Sequence, residues 1–293
     1  MQNNKAIRYA IIAALLYALS TPISKLLMEK ISPSYMAGFL YLGAGIGMLF
    51  LIPLTFTRDT KADHFTHRDI LYLVAMVVLD IIAPILLMIS ISRSSAETVS
   101  LLNNFEIVAT SIIALVLFKE KISGRLWGGI ILITLASILL SMTDITSFSF
   151  SIYSLFAVLA CICWGFENNC TRKLSHSDPV KIVIIKGFGS GIGALIVAFI
   201  SGSELSLTPY IILALLLGSV AYGLSIFFYI RAQRDIGAAK TSAFYALSPF
   251  IGAGLSLLFF PKIPSPLFIV AFIVMVTGAY LAIEKERKTN EQA

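Results

Sequence analysis

The chain has 293 residues, 58% hydrophobic and 13% charged, with a mean hydropathy of +0.89 and a formal net charge of +6. Soluble domains carry about 25% charged residues, so this balance excludes an ordinary water-soluble fold and makes lipid the solvent of most side chains. The excess of cations needs no nucleic acid to explain it, because an anionic leaflet attracts each juxtamembrane Lys or Arg by about 1 kcal/mol.

A helix needs about 20 mainly apolar residues to cross roughly 30 Å of hydrocarbon. Ten stretches meet that length, at 6–27, 34–56, 70–91, 96–118, 124–142, 151–172, 180–201, 209–230, 238–260 and 264–284. Helices are the only spanning form expected, because an open sheet leaves backbone groups unpaired in lipid and barrel-type alternation is missing. The first stretch follows Lys5 and Arg8 but lacks a small-residue cleavage pattern, so it reads as a retained membrane helix. The second and seventh carry Gly43 and Gly47, Gly187 and Gly191, and Gly189 and Gly193, a Gly-x-x-x-Gly spacing that predicts close packing within each half, with sliding of the halves or dimerisation as the other readings. Pro22, Pro84 and Pro249 mark bends, and near the outer side Pro22 and Pro84 are either static kinks or part of a moving gate. Cys161, Cys163 and Cys170 all fall in the sixth stretch, too few ligands for a metal site and no disulfide framework.

Basic residues alternate between loops. The cations Lys5, Arg8, Arg58, Lys61, Arg68, Lys119, Lys121, Arg125, Arg172, Lys173, Lys181, Arg231, Arg234, Lys240, Lys285, Arg287 and Lys288 share one face. Lys25, Lys30, Arg93 and Lys262 take the other, and Lys186 lies inside a helix. The positive-inside rule then puts both termini in the cytoplasm.

The chain is also written twice. Residues 99–141 echo 241–283; Pro33, Gly43, Gly45 and Gly47 recur 146 positions later as Pro179, Gly189, Gly191 and Gly193. Ala96, Ser100 and Phe118 recur 142 positions later as Ala238, Ser242 and Phe260. Five helices per copy is an odd number, so the copies, 1–145 and 146–293, are expected to insert in opposite senses. The expected fold is therefore an all-α polytopic membrane protein of ten transmembrane helices arranged as two inverted five-helix repeats.

Several local patterns recur in both copies. They are Trp164-Gly165 with Tyr17-Ala18 as its counterpart, and the cations Lys25 and Arg172-Lys173 about two turns later. A fourth-helix block runs from Ser95-Ala96-Glu97-Thr98 to Asn103-Asn104-Phe105-Glu106 and Phe118-Lys119-Glu120, answered by Gly237-Ala238-Ala239-Lys240 to Ser248-Pro249-Phe250. Over essentially the whole chain each half resembles an EamA repeat of the drug/metabolite transporter superfamily. The family's Glu-Pro pair is divided here between Glu106-Ile107 and Ser248-Pro249, and Pro261-Lys262 stands where Glu120 closes the first block. The resemblance implies a central cavity lined mainly by the first, third and fourth helices of each repeat, alternating access, and a peripheral fifth helix.

Charges inside the membrane cost about 2.5–3.5 kcal/mol each on insertion scales, so Asp80, Glu106, Glu167 and Lys186 are functional candidates by default. Glu167 and Lys186 sit on consecutive antiparallel helices at similar depth, which lets them pair, either as a lock on the hairpin or as a gating or proton-linked couple. Glu106, at central depth with Asn103 beside it, is suited to carry a proton, to meet a cationic group, or to serve a structural hydrogen bond. Asp80 precedes Pro84, which removes a helical backbone bond four residues on and leaves a carbonyl near the acid; the pair is either a kink network or part of the cavity wall. Trp164 shares a helix face with Glu167, an arrangement suited to an ammonium group or to packing. Asn168 is glue or ligand, Tyr17 and Tyr245 are cavity-wall candidates, and Tyr41, Tyr222 and Tyr229 are secondary ones.

No catalytic constellation, Walker loop or metal-ligand spacing is present, and no cofactor is expected; His64, His67 and His176 all fall in loops. Three acids against one base lean towards amino acids or small organic cations carried by a secondary-active transporter, with protons as a coupling ion. The alternatives are a facilitative carrier of neutral or anionic metabolites and a non-transport membrane protein. The partners expected are a small-molecule substrate and membrane lipid, not nucleic acid, in the plasma (inner) membrane. Ten helices enclose a path within one chain, so a monomer suffices and a homodimer is the other arrangement.

Overall fold

The computed structural model describes residues 2–51, 65–67, 69–119, 123–144, 149–205, 208–261 and 263–282. Arg58, Lys61, Arg68, His64, Glu120, Lys121, Lys262 and the tail cations Lys285, Arg287 and Lys288 lie outside the described residues.

The described residues are helical almost throughout. In order come α1 (Gln2–Ala18), α2 (Ser20–Leu27), α3 (Pro33–Leu51), α4 (Asp69–Arg93), α5 (Ala96–Leu102), α6 (Phe105–Phe118) and α7 (Gly124–Ser141). A minimal antiparallel hairpin, β1 (Met142–Asp144) with β2 (Ser149–Phe150), leads to α8 (Ile152–Leu174) and α9 (Pro179–Ile200). Then follow α10 (Tyr210–Leu217), a π-helical stretch (Gly218–Leu224), α11 (Ser225–Tyr245), α12 (Leu247–Phe259) and α13 (Pro266–Ala282). Starts are set by local chemistry. The backbone N–H groups of Thr98, Leu126 and Ser154 donate to the hydroxyls of Ser95, Ser123 and Ser151, and Val180 N–H donates to Asp178, with Pro179 following at the first helical position.

Among the described residues ten helical segments result, because α1 with α2, α5 with α6, and α10 with the π-stretch and the start of α11 form interrupted rods. Among the described residues seven segments are long and apolar enough to cross a membrane on their own, namely Lys5–Leu27, Pro33–Phe50, Asp69–Arg93, Ala96–Leu117, Gly124–Ser141, Pro179–Ile200 and Tyr210–Gly237. α12 and α13 are apolar but shorter, and α8 carries Glu167, Arg172 and Lys173. The outer surface is apolar: Phe50, Leu71, Phe199, Ile200 and Leu258 are all more than 70% exposed, as suits side chains that meet acyl chains rather than water.

The interruptions have local causes. Asn103 and Asn104 part α5 from α6, and the Asn104 side chain donates to Leu101 O (3.3 Å), taking a carbonyl that a continuous helix would use. Gly237 adopts φ 77° and splits α11 in the same way that a C-terminal glycine ends a helix.

The principal packing pairs are α3 with α9, α7 with α13, α5 with α12, α4 with α8, and α1 with α11. α6 also packs on α8, α1 on α12, α4 on α9, and α3 on the π-stretch. The glycines explain the first pair. A Cβ on Gly187 would strike the backbone of Gly45, and one on Gly191 would stand 2.7 Å from Leu42 N. The expected packing within each half is thus corrected. These glycines bring residues of the first half against residues of the second, because small-residue spacing allows close approach without naming the partner.

Two cations stitch helix ends together. Lys25 Nζ donates to the carbonyls of Ile91 (2.5 Å), Ser92 (3.1 Å) and Ser94 (2.9 Å), where α4 leaves acceptors unused. Arg234 donates from Nε to Ser175 O (2.7 Å) and from Nη2 to Ser177 O (2.5 Å), just beyond α8. His176 lies 3.5 Å from Asp69 at the start of α4, so α4 and α8 are antiparallel and the two stitches sit at opposite ends of the bundle.

Candidate functional site

The periodicity of α8 builds one wall. Trp164, Glu167, Asn168 and Thr171 recur at i, i+3, i+4 and i+7, one stripe of a helix, and all four are buried. Opposite them stand Tyr17 from α1, Tyr41 from α3, Asp80 from α4, Glu106 from α6 and Lys186 from α9. Tyr222 of the π-stretch and Ile226, Tyr229 and Tyr245 of α11 complete the enclosure. A smaller hollow opens where α5 gives way to α6 and α11 to α12, lined by Asn103, Asn104, Ile107, Ser242, Ala246 and Pro249, and shares Tyr17, Glu106 and Tyr245 with the first.

The charges separate into two groups. Lys186, 3% exposed, places Nζ 2.6 Å from Glu167 Oε1 and 3.2 Å from Asp80 Oδ2. Tyr41 OH donates to Asp80 Oδ1 (2.8 Å), and Thr171 OH donates to Glu167 Oε1. Both carboxylates therefore have a cation and a hydroxyl, which is what buried charge requires. Glu106 is different. It sits in the first turn of α6, where the helix dipole favours an anion, and accepts from Asn168 Nδ2 at 2.6 Å. Unlike Asp80 and Glu167 it keeps part of its surface exposed to the cavity.

The aromatic rings form a connected set. Tyr17 meets Trp164 edge-on (6.5 Å between centroids), Tyr222 (5.5 Å) and Tyr245 (5.5 Å). Tyr222 meets Tyr41 (5.1 Å), and Tyr245 meets Tyr229 (4.9 Å). Tyr229 and Ser242 share a hydroxyl hydrogen bond of 2.7 Å.

Of the residues singled out from sequence, Glu106, Trp164, Glu167, Asn168, Tyr17, Tyr245, Asp80 and Lys186 line the main space, and Asn103 lines the smaller one. Pro84 is buried in α4, one turn beyond Asp80, and belongs to neither wall. Thr171 and Thr110 escaped notice, although each lies four residues beyond an acid, Glu167 and Glu106, on the same helix face. Asn168 Nδ2 reaches Thr110 Oγ1 (3.3 Å) as well as Glu106. The Asp80–Lys186 contact joins the two halves, and no local spacing announces it.

The chain matches the EamA-like transporter family over residues 4–142 and again over residues 151–283. It belongs to that family. An uncharacterized transporter of Methanothermobacter thermautotrophicus is 25% identical over 292 residues, covering 92% of this chain and 84% of that protein. A protein of known crystal structure superposes with a TM-score of 0.70 at 12% identity, covering 94% of this chain and 95% of the other, a likeness of fold alone. Family and relative point to a multi-pass membrane transporter rather than an enzyme. In this EamA chain the acids, the amide and the rings converge on one space.

Proposed function

We propose that the protein is a secondary-active carrier of small amine-bearing solutes, amino acids or organic cations, that works by alternating access with proton exchange at Glu106. Its units are the two five-helix repeats, 1–145 and 146–293, inserted in opposite senses, with both termini on the cytoplasmic side of the plasma (inner) membrane. The observation that carries the solute class is Glu106. It is a carboxylate open to a cavity walled by Tyr17, Trp164 and Tyr245, with an amide as its polar partner while the cavity's lysine is engaged elsewhere. A desolvated ammonium over an aromatic face gains about 2 kcal/mol or more in addition to its ion pair.

The packing scheme supports the inversion. Exchanging each segment for the one five places later turns the α4–α8 pair into α11–α1, and α6–α8 into α12–α1. The same exchange leaves α3–α9, α7–α13 and α5–α12 unchanged. A twofold relation between the repeats accounts for that bookkeeping. The two matches to one family, 4–142 and 151–283, fit the same division.

The test is uptake into sealed proteoliposomes at two external pH values, comparing the native chain with Glu106→Gln. Solute movement that needs an intact vesicle and loses its pH dependence in Glu106→Gln is the expected result. An unchanged pH response in the variant removes Glu106 as the coupling site.

A further inference from the structure

We infer that the cavity accepts organic monocations, amines that carry no carboxylate, and discriminates against the α-amino acids that share their carbon frames. This rests on the carrier function proposed above and narrows its solute class.

A zwitterion brings its own anion and needs a partner for it. Among the described residues lining the two hollows, Lys186 is the one base, and its charge is divided between Glu167 at 2.6 Å and Asp80 at 3.2 Å. That cluster of two acids and one base carries a net charge of about −1 when all three are ionised, so it repels a carboxylate instead of pairing with it. The polar donors nearby are directed inward as well. Asn168 Nδ2 is given to Glu106 and Thr110, Thr171 OH to Glu167, and Tyr41 OH to Asp80.

A helix N-terminus is the remaining place where an anion is usually welcome. At α6, Glu106 already fills the first turn, and the backbone N–H groups of Glu106 and Ile107 donate to Asn103 O and Asn104 O, both at 3.1 Å. What is left to an incoming carboxylate are phenol, indole and Asn103 amide donors, which form hydrogen bonds but bring no charge. For an ammonium the same wall is favourable, because Glu106 is open to the cavity and the rings of Tyr17, Trp164 and Tyr245 line it.

The test uses the purified full chain in detergent and three ligands with one carbon frame: phenethylamine, phenylalanine, and phenylalanine methyl ester, which removes the anion but keeps its bulk. Calorimetric titration near neutral pH is expected to show binding of phenethylamine and the ester, with phenylalanine weaker by at least about tenfold, equivalent to about 1.4 kcal/mol. Glu106→Gln is expected to weaken the two cations by a similar factor, and Glu106→Asp to retain most of their binding. Phenylalanine binding as tightly as phenethylamine overturns the inference and leaves the carrier reading standing. Binding of phenethylamine but not the ester points to bulk instead of charge and also overturns it. Cation binding untouched by Glu106→Gln overturns the assigned location. If none of the three binds, the acid-and-aromatic cavity as a solute site falls together with the inference.

Discussion

Replacing Lys186 with Met should destabilise the folded protein more than any neutralisation of its neighbours. The lysine stands 2.6 and 3.2 Å from two carboxylate oxygens, and none of the three side chains exceeds 5% exposure, so solvent screens little of the interaction. At an effective dielectric near 20, one unit pair about 3 Å apart is worth about 5–6 kcal/mol before desolvation. Removing one partner of a buried pair typically costs about 3–5 kcal/mol, because the other is left uncompensated. Here two carboxylates, Asp80 and Glu167, would be left together, which puts Lys186→Met at the upper end of that range. Adding Asp80→Asn or Glu167→Gln should return part of the loss. The triple variant, which leaves no charge in the cluster, should come within about 1–2 kcal/mol of the native chain, since neutral replacements of buried ion pairs are often tolerated. Reversible unfolding in mixed micelles, read as a mutant cycle over the three positions, measures each difference. A Lys186→Met variant within about 0.5 kcal/mol of the native protein, or no recovery in the doubles, would refute the view that this cluster is an energetically coupled unit.

Gly187→Val should abolish folded, monodisperse protein in size-exclusion chromatography, because its Cβ meets the Gly45 backbone, which has no side chain to move aside, whereas Gly254→Ala, with open space around it, should behave as native. Trp164→Ala should weaken binding of a cationic solute by about 0.5–2 kcal/mol, the range of a cation–π contact, measured by titration; no change would place the indole outside the binding surface. Lys25→Met and Arg234→Gln each remove charged hydrogen bonds worth about 1.5–3 kcal/mol apiece from opposite ends of the bundle. Thiol labelling of Ser20→Cys, on the α2 that carries Lys25, should rise at least about tenfold in the first variant, and that of Gln233→Cys, beside Arg234, in the second. Equal changes at both ends would contradict alternating access.

Sequence reading was strongest where it depended on the lipid. The helical segments followed from the length of apolar runs, and the depth of Glu167 and Lys186 on adjacent antiparallel helices was enough to expect a pair that the side chains do form. It was weaker wherever the partner is distant in the chain. Asp80 closes the same ion cluster from the first half, and Tyr41 supports it from α3, relations that depend on the α3–α9 and α4–α8 packing and leave no trace in local spacing. The Asn103–Asn104 break and the π-helical stretch at Gly218–Leu224 also went unread. Short-range propensity marks where a helix can loosen, while tertiary packing decides where it does. The pairing of Met142–Asp144 with Ser149–Phe150, between the two copies, also went unread.

That hairpin has a consequence for assembly. Ser151 N–H donates to Ser141 O at 2.9 Å, so the end of α7 is held beside the start of α8. Two repeats tethered this closely meet as parts of one molecule, at effective concentrations in the millimolar range, and their association does not weaken when the protein is diluted. The free energy that separate subunits would spend on finding one another is already settled by the covalent link. Inserting flexible residues there should cost little, about 0.6 kcal/mol for each doubling of loop length, while cutting the link would make the union of the repeats depend on protein concentration.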